Sequence, residues 1–196
     1  MIIGITGGTG CGKTTALDAI EALGGAVIDC DKVYHQLLTT DKKMLSAIEN
    51  RFPGSLTGGI LDRKKLGSVV FSDPKALADL NTITHSAVKS QVKGMLKPNT
   101  LTAIDAIELF EGGLAELCQV TVAITAPEED RIPRLMVRDQ ITREAALQRI
   151  RAQKPESYFL EKCDYILEND GNLAVFKEKC LAFFRELIIM KTVNSK

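Results

Sequence analysis

The chain has 196 residues, of which 45% are hydrophobic and 26% charged, and its formal charges cancel. These values are ordinary for a globular domain, and they exclude a global field that would recruit nucleic acid or an anionic membrane. No apolar run reaches the roughly 18 residues of a membrane helix, and no basic segment precedes the apolar start, as a signal peptide requires. The five cysteines are odd in number and widely spaced, which favours reduced thiols in a cytoplasm. We therefore predict one cytoplasmic domain over residues 1–196.

The first predicted element is a short apolar strand over residues 1–6. The segment that follows, residues 7–14, fits the phosphate-binding pattern G-x-x-x-x-G-K-[ST]. Apolar residues then recur at the three- to four-residue spacing of one buried helix face: Ala16, Leu17, Ile20 and Leu23. A strand before the motif and a helix after it favour a phosphate-binding loop over a glycine-rich turn with a chance lysine.

The chemistry of such a loop explains its residue types. Backbone N–H groups and the helix N-terminus hold a phosphate chain, and glycines keep the loop bare and permit positive φ. Lys13 can reach the β- and γ-phosphates, and the hydroxyl of Thr14 can ligate Mg²⁺. The predicted nucleotide-binding residues here are Gly8, Gly10, Cys11, Gly12, Lys13, Thr14 and Thr15. Cys11 lies at the helix N-terminus, where the pKa of a thiol can fall. We therefore take a reactive thiol at Cys11 as a hypothesis.

A second short strand, residues 26–29, runs into Asp29 and Asp31. Carboxylates just past a strand end lie where ligands bind in open α/β sheets. Asp31 can also cap a helix that starts at Lys32. The topology favours a site role, and capping is the alternative.

Residues 41–97 have a helical pattern with short breaks. Asp62 is a plausible N-cap for one of these helices, and Asp73, followed by proline, starts another. His85 lies in the last helix, where a lone histidine is usually structural or exposed.

A third strand over residues 101–105 ends in Asp105, as the acid on the Mg²⁺ side of phosphate-loop proteins does. Apolar runs before an aspartate are frequent, so this signal is weak alone. Further strands are predicted at residues 120–125 and 164–167. Strands that alternate with helices indicate a parallel sheet covered on both faces.

Between the last two strands, Arg131, Arg134 and Arg138 share one predicted helix face, and further arginines continue to Gln153. They form either a solvated face paired with nearby acids or a lid whose arginines close over phosphates. Within a phosphate-loop protein we favour the lid. After the last strand, Asn172 can cap a final helix, for which packing on the sheet is favoured over a membrane-surface role.

Several of these motifs together resemble the dephospho-coenzyme A kinase family, over nearly the whole chain. Asp29-Cys30-Asp31 is similar to its Asp-Ala-Asp signature, with Cys30 in place of alanine. The other matching segments are residues 4–15, 61–63, 80–85, 134–139, 144–150, Gln153 and 169–171.

The resemblance implies a P-loop nucleoside triphosphate hydrolase-like three-layer α/β fold with a five-stranded parallel sheet. It implies a helical acceptor-binding region at residues 31–97 and a lid at residues 128–153. The implied reaction is ATP-dependent phosphorylation of the ribose 3′-hydroxyl of dephospho-coenzyme A with Mg²⁺, the final step of coenzyme A biosynthesis. The implied catalytic residues are Asp31, Lys13 and Arg138, with Asn169 and Gly171 near adenine, Thr14 at the metal, and Asp31, Arg63, His85 and Asp105 at the acceptor.

The chain departs from the family pattern at three places. Residues 105–111 read Asp-Ala-Ile-Glu-Leu-Phe-Glu where the family commonly has Asp-x-Pro-Leu-Leu-Phe-Glu, which places Glu108 in the acceptor region. Ser86 replaces a proline after the histidine, and Gln119 replaces an aspartate before the fourth strand.

Three alternatives stay open beside this kinase. One is another P-loop nucleoside or nucleotide kinase, and another is a nucleotide-binding module without catalysis. A GTP-dependent switch is a third, although the sequence lacks the Asn-Lys-x-Asp motif that reads guanine. The expected partners are small molecules, and the chain is expected to be a monomer or a small homo-oligomer.

Overall fold

A five-stranded parallel sheet forms the centre of the protein in the computed structural model, which describes residues 1–193. The strands are β1 (Ile2–Thr6), β2 (Ala26–Asp29), β3 (Leu56–Thr57), β4 (Ile60–Leu61), β5 (Thr102–Asp105), β6 (Val120–Thr125) and β7 (Tyr165–Glu168). The helices are α1 (Lys13–Ala22), α2 (Cys30–Thr40), α3 (Lys42–Arg51), α4 (Arg63–Val70), α5 (Pro74–Met95), α6 (Glu128–Asp139), α7 (Arg143–Arg151), α8 (Glu156–Lys162) and α9 (Leu173–Val193), with a short 3₁₀ helix at Leu114–Leu117. Five of these strands form the main sheet, in the order β2-β5-β1-β6-β7, and β3 pairs with β4 in a separate hairpin. The predicted fold class and its five parallel strands are therefore confirmed.

Two hydrophobic clusters hold helices on the sheet. One joins α1 and α9 to β1 and β6, and the other joins β2 and β5 to the helices α2 to α5. All six residues of β6 are buried, which accounts for a run of β-branched and apolar residues without alternation. The final helix packs on the sheet as predicted, through Phe176, Cys180, Phe184 and Leu187, whereas Leu173 is 69% exposed.

Side-chain caps fix where several helices begin. Asp62 accepts hydrogen bonds from the backbone N–H groups of Lys64 and Lys65 at 3.1 and 3.0 Å, and Asp73 caps α5 at Lys75 N. Asn172 likewise accepts from Val175 N at 3.0 Å. The predicted caps Asp62 and Asn172, and the predicted helix start at Asp73, are therefore confirmed.

The alternative role of Asp31 as a cap is wrong. Strand β2 leads directly into α2, which begins at Cys30, so Asp29 is the last extended residue and the N-cap. Its carboxylate accepts from Lys32 N at 2.9 Å. Asp31 lies in the first helical turn, and its side chain is exposed.

The hairpin β3–β4, the 3₁₀ helix at Leu114–Leu117 and helix α8 were not predicted. The hairpin β3–β4 turns at Gly58 and Gly59, whose φ angles are +60° and +82°, as a two-residue turn with both central residues left-handed requires. The short helix α8 follows Pro155 after the predicted lid. None of the helices within residues 1–193 is both long enough and apolar enough to cross a membrane. The predicted domain extends to residue 196, and its residues 194–196 lie outside the described part.

Candidate active site

The carboxyl ends of three neighbouring strands bring the predicted site residues to one edge of the sheet. In the register of the sheet, Asp105 is opposite both Ile5 of β1 and Asp29 of β2. The glycine-rich loop after β1, the acids after β2 and the acid that ends β5 therefore meet at this edge. Gln119 lies at the opposite end, where its Oε1 accepts from Ile2 N at 2.8 Å, so this departure from the family pattern is remote from the site.

The loop conformation depends on glycine at two positions. Gly7 has a φ of +139°, and a Cβ there would overlap the carbonyl oxygen of Ile124. Gly12 has a φ of +99°, precedes α1, and leaves no room for a Cβ beside the amide nitrogen of Asn169. Only glycine adopts these angles without strain, so the pattern read from the sequence is a steric requirement of this fold.

Lys13 and Thr14 begin helix α1, directly after the loop. The ammonium of Lys13 donates a hydrogen bond to the carbonyl oxygen of Gly7 at 3.3 Å, so it lies over the loop. Thr14 is exposed in the first helical turn. It lines a cavity of about 490 Å³ together with Asp29 and Asp105.

The residues beside Thr14 fit a hard cation. The Oδ1 atom of Asp105 is buried and has no hydrogen-bond partner among the described residues. Burial raises the pKa of this carboxyl, and Asp29 and Asp31 raise it further, whereas Lys13 opposes the shift. Hydroxyl and carboxylate oxygens are the ligands that Mg²⁺ prefers, and Mg²⁺ usually takes few of them from the protein. Residues 1–193 contain no cluster of three or more His, Cys, Asp and Glu ligands.

A second cavity, of about 360 Å³, opens beside Asp31. It is bounded by α2, α5 and the segment after β5, and Asp31, Tyr34, His85 and Glu108 are among the side chains that line it. Arg63 is not among them. Its Nη2 atom lies 3.4 Å from Nδ1 of His35. The structure therefore brings Asp31 and His85 to one cavity and leaves Arg63 outside its lining.

Glu108 forms an ion pair with His85 at the wall of this second cavity. Their Oε2 and Nε2 atoms are 3.1 Å apart. The hydrogen bond to the carboxylate of Glu108 raises the pKa of His85, and the same contact lowers the pKa of Glu108. The glutamate that departs from the family pattern therefore favours a protonated histidine at the wall of this cavity.

The three arginines predicted to share one face of α6 all contact the glycine-rich loop. Arg131 donates to Thr9 O at 2.9 Å, Arg134 donates to Gly10 O at 3.2 Å, and Arg138 donates to Thr9 Oγ1 at 3.2 Å. Arg138 also forms an ion pair with Asp139 at 2.7 Å. This face of the helix therefore lies against the loop.

On the far side of the loop, Asn169 and Gly171 have different surroundings. Asn169 is 5% exposed, and its Nδ2 donates to the carbonyl oxygen of Cys11 at 2.9 Å, so it braces the loop. Gly171 borders an open groove of about 750 Å³ that Arg134 and Arg138 also line. Contacts of Asn169 and Gly171 with a nucleotide base stay predictions.

The hypothesis of a reactive thiol at Cys11 is wrong. Its side chain is 3% exposed and packs in the α1 and α9 cluster. Burial raises its pKa, and the nearby charges of Arg131 and Lys13 only oppose that shift. Position at a helix N-terminus predicts a low pKa only where the sulfur faces solvent.

Sequence reasoning did not connect Glu108 with His85, or Arg131 with the loop. Both pairs are far apart in the chain, by 23 and 122 residues. No local spacing rule joins residues at such separations. The sequence therefore carried no signal for either contact.

Comparisons with known proteins agree with this geometry. The family model described as "Dephospho-CoA kinase" matches residues 1–175. The chain belongs to the dephospho-CoA kinase family. A dephospho-CoA kinase of Carboxydothermus hydrogenoformans is 33% identical and covers 94% of this chain and 93% of its own length. Another, of Thermus thermophilus, is 33% identical with coverage of 95% and 92%.

Solved structures have the same fold. The structure of TT1252 from Thermus thermophilus has a TM-score of 0.77 at 33% identity and covers 95% of this chain and 97% of that one. The dephospho-CoA kinase from Campylobacter jejuni has a TM-score of 0.69 at 28% identity, with coverage of 95% and 96%. A shikimate kinase from Acinetobacter baumannii, at 15% identity and a TM-score of 0.57, shares the fold. The protein is thus a P-loop kinase.

Proposed function

We propose that this protein transfers the γ-phosphoryl group of ATP to the ribose 3′-hydroxyl of dephospho-coenzyme A, in the cytoplasm, as the final step of coenzyme A biosynthesis. The observation that carries the proposal is the meeting of loop, acid and cavity at one sheet edge, in a chain that matches the family along most of its length. Residues 128–153 act as the lid and residues 31–97 as the acceptor region.

The donor half of the reaction belongs to the loop and the lid. Loop N–H groups and Lys13 hold the β- and γ-phosphates, and the N-terminus of α1 adds its partial positive charge. Arg138, which reaches Thr9 from α6, neutralises charge that develops on the transferring group. Mg²⁺ would be held by Thr14 with Asp105 beside it, and it would neutralise charge on the phosphates. Phosphoryl transfer needs this positioning and neutralisation more than covalent chemistry.

The acceptor half belongs to the cavity beside Asp31. The exposed carboxylate of Asp31 accepts the hydrogen bond of the attacking hydroxyl, orients it and takes its proton. His85 at the wall of the cavity, paired with Glu108, contacts the anionic acceptor. Arg63 reaches the same substrate from outside the cavity, and adenine of ATP lies in the groove beside Gly171, with Asn169 beneath it.

An acceptor panel tests this function. The purified protein is incubated with ATP, Mg²⁺ and one acceptor at a time: dephospho-coenzyme A, nucleosides, nucleoside monophosphates, shikimate and gluconate. We expect phosphorylation of dephospho-coenzyme A with a kcat/KM at least a hundredfold above the others. Phosphorylation of a nucleoside monophosphate but not of dephospho-coenzyme A would contradict the proposal.

A further inference from the structure

Thr9, in the phosphate-binding loop, is bonded to two residues from opposite ends of the lid. Gln153 Oε1 accepts a hydrogen bond from Thr9 N at 2.7 Å, and Arg131 Nε donates to Thr9 O at 2.9 Å. Arg131 Nη2 also donates to Gln153 Oε1 at 3.4 Å. Both backbone polar groups of Thr9 are therefore bonded to one closed pair of side chains, which we call the Thr9 clasp (Arg131 and Gln153).

The charge of Arg131 is not neutralised by a carboxylate. Within residues 1–193 it takes part in no ion pair, whereas Arg138 and Arg149 pair with Asp139 and Arg143 pairs with Glu129. A Cβ on Gly8 would lie 2.5 Å from Arg131 Nη2, so the guanidinium packs directly against the loop. Hydrogen bonds from a charged donor are about twice as strong as neutral ones.

The clasp controls the direction of one loop N–H. The carbonyl of Thr9 and the N–H of Gly10 belong to the same planar peptide and point in opposite directions. Because Arg131 holds the carbonyl on the lid side, the Gly10 N–H is turned away from the lid helix. In the part of the chain that the structure describes, this N–H makes no hydrogen bond. It is therefore a free donor of the kind that binds phosphate.

We propose that Arg131 and Gln153 are positioning residues, which hold the Thr9–Gly10 peptide so that the Gly10 N–H faces the phosphates of ATP. Arg131 lies near the start of the lid and Gln153 is its last residue, so the clasp also connects both ends of the lid to the loop. The inference rests on the nucleotide-binding part of the proposed function and is independent of the acceptor.

Calorimetric titration with ATP, without any acceptor, tests the clasp. We expect Arg131→Ala to weaken ATP binding about tenfold, the effect of losing a charge-assisted hydrogen bond that orders a binding group. Arg131→Lys keeps the positive charge but loses the planar guanidinium with its several N–H donors, and it should recover part of the ATP affinity. The matched control is Arg185→Ala, an exposed arginine of α9 outside the lid and the acceptor region, which should bind ATP as the wild type does.

The second residue of the clasp gives an independent readout. Gln153→Ala should also weaken ATP binding, and the double variant should lose less than the product of the two single losses, because both act through one peptide. In steady-state kinetics the single variants should raise the KM for ATP while the KM for the acceptor stays unchanged.

Three results would overturn the inference. Unchanged ATP affinity in Arg131→Ala, with a lower melting temperature, would show a purely structural residue. Fully independent losses in Arg131→Ala and Gln153→Ala would show that no clasp exists. If Arg131→Ala does not fold, unchanged affinity in Arg131→Lys and Gln153→Ala decides against it. A wrong acceptor would leave all these binding results intact and fail only in the acceptor panel.

Discussion

The two halves of the site are built in different ways. The phosphate-binding loop is a continuous segment whose shape is fixed by main-chain angles and close contacts, at Gly7 and Gly12 above all. The acceptor cavity is assembled from side chains on α2, α5 and the segment after β5, among them Asp31, His85 and Glu108. A site made of main chain is encoded locally and tolerates few substitutions, whereas a site made of side chains can be retuned one residue at a time.

The largest expected effect separates the halves at Asp31. We expect Asp31→Asn to lower kcat by about 10²–10⁴-fold, the usual contribution of a positioned acid or base, with little change in ATP affinity. The measurement is kcat for dephospho-coenzyme A beside a calorimetric Kd for ATP. The matched control is Asp41→Asn, because Asp41 caps α3 and lines none of the three cavities, and asparagine also caps a helix. Equal turnover in Asp31→Asn would remove this residue from the mechanism.

A backbone substitution in the loop should damage the donor half. Gly12→Ala forces a Cβ onto a residue with a φ of +99° and against the amide of Asn169. We expect a loss of about 1–3 kcal/mol in the free energy of unfolding and loss of ATP binding, measured by denaturant titration and calorimetry. Gly94→Ala, in helix α5 with nothing within 4 Å of the added carbon, is the control and should stabilise by about 0.5–1 kcal/mol. Normal ATP affinity in Gly12→Ala would contradict a main-chain site.

A smaller effect is expected at the His85–Glu108 ion pair. Since Glu108 raises the pKa of His85, Glu108→Gln should lower that pKa, as followed by NMR titration of the imidazole, with the resonances of His35 as the internal control. The side chain of Glu108 is 61% exposed, so the pair should contribute less than about 1 kcal/mol to stability. An unchanged His85 titration would show that the pair does not form.

The pH dependence of this pair follows from the two directions. A raised histidine pKa stabilises the fold below its unfolded value of 6.5, and the effect is lost as the pH rises through the folded pKa. A lowered glutamate pKa stabilises above its unfolded value of 4.5 and is lost as the pH falls through the folded pKa. The difference in unfolding free energy between wild type and Glu108→Gln should therefore be largest at about pH 4.5–6.5.

The smallest effect is expected at Cys11. Because burial raises the pKa of this thiol, a thiol reagent should label it slowly in the native protein, with or without ATP. Mass spectrometry of the labelled peptides measures this, and labelling in denaturant is the control. Rapid native labelling that ATP blocks would show an exposed thiol in the loop.

The same contrast explains what the sequence could predict. The five strands, the loop, the caps at Asp62 and Asn172 and the helix start at Asp73 rest on local patterns, and the structure confirms them. Capping of α2 by Asp31, the alternative left open, is wrong because β2 passes into α2 two residues earlier than the sequence pattern predicts, which makes Asp29 the cap. The hairpin at Gly58 and Gly59 carried a local signal, a two-residue glycine turn.

Contacts between distant elements were beyond reach. Nothing in the spacing of Arg131 indicates a bond to Thr9, 122 residues away, and the burial of Cys11 follows from how α9 packs on α1. The lid and acceptor boundaries, and the roles of the individual site residues, stay predictions. They depend on how elements dock, which a single sequence does not specify.

The position of the phosphate on the product tests the central claim most directly. The protein is incubated with ATP, Mg²⁺ and dephospho-coenzyme A, and the purified product is examined by phosphorus and proton NMR. The account predicts one new phosphate, coupled to the ribose 3′ proton. A phosphate at the 2′ position, or hydrolysis of ATP without transfer, would contradict it.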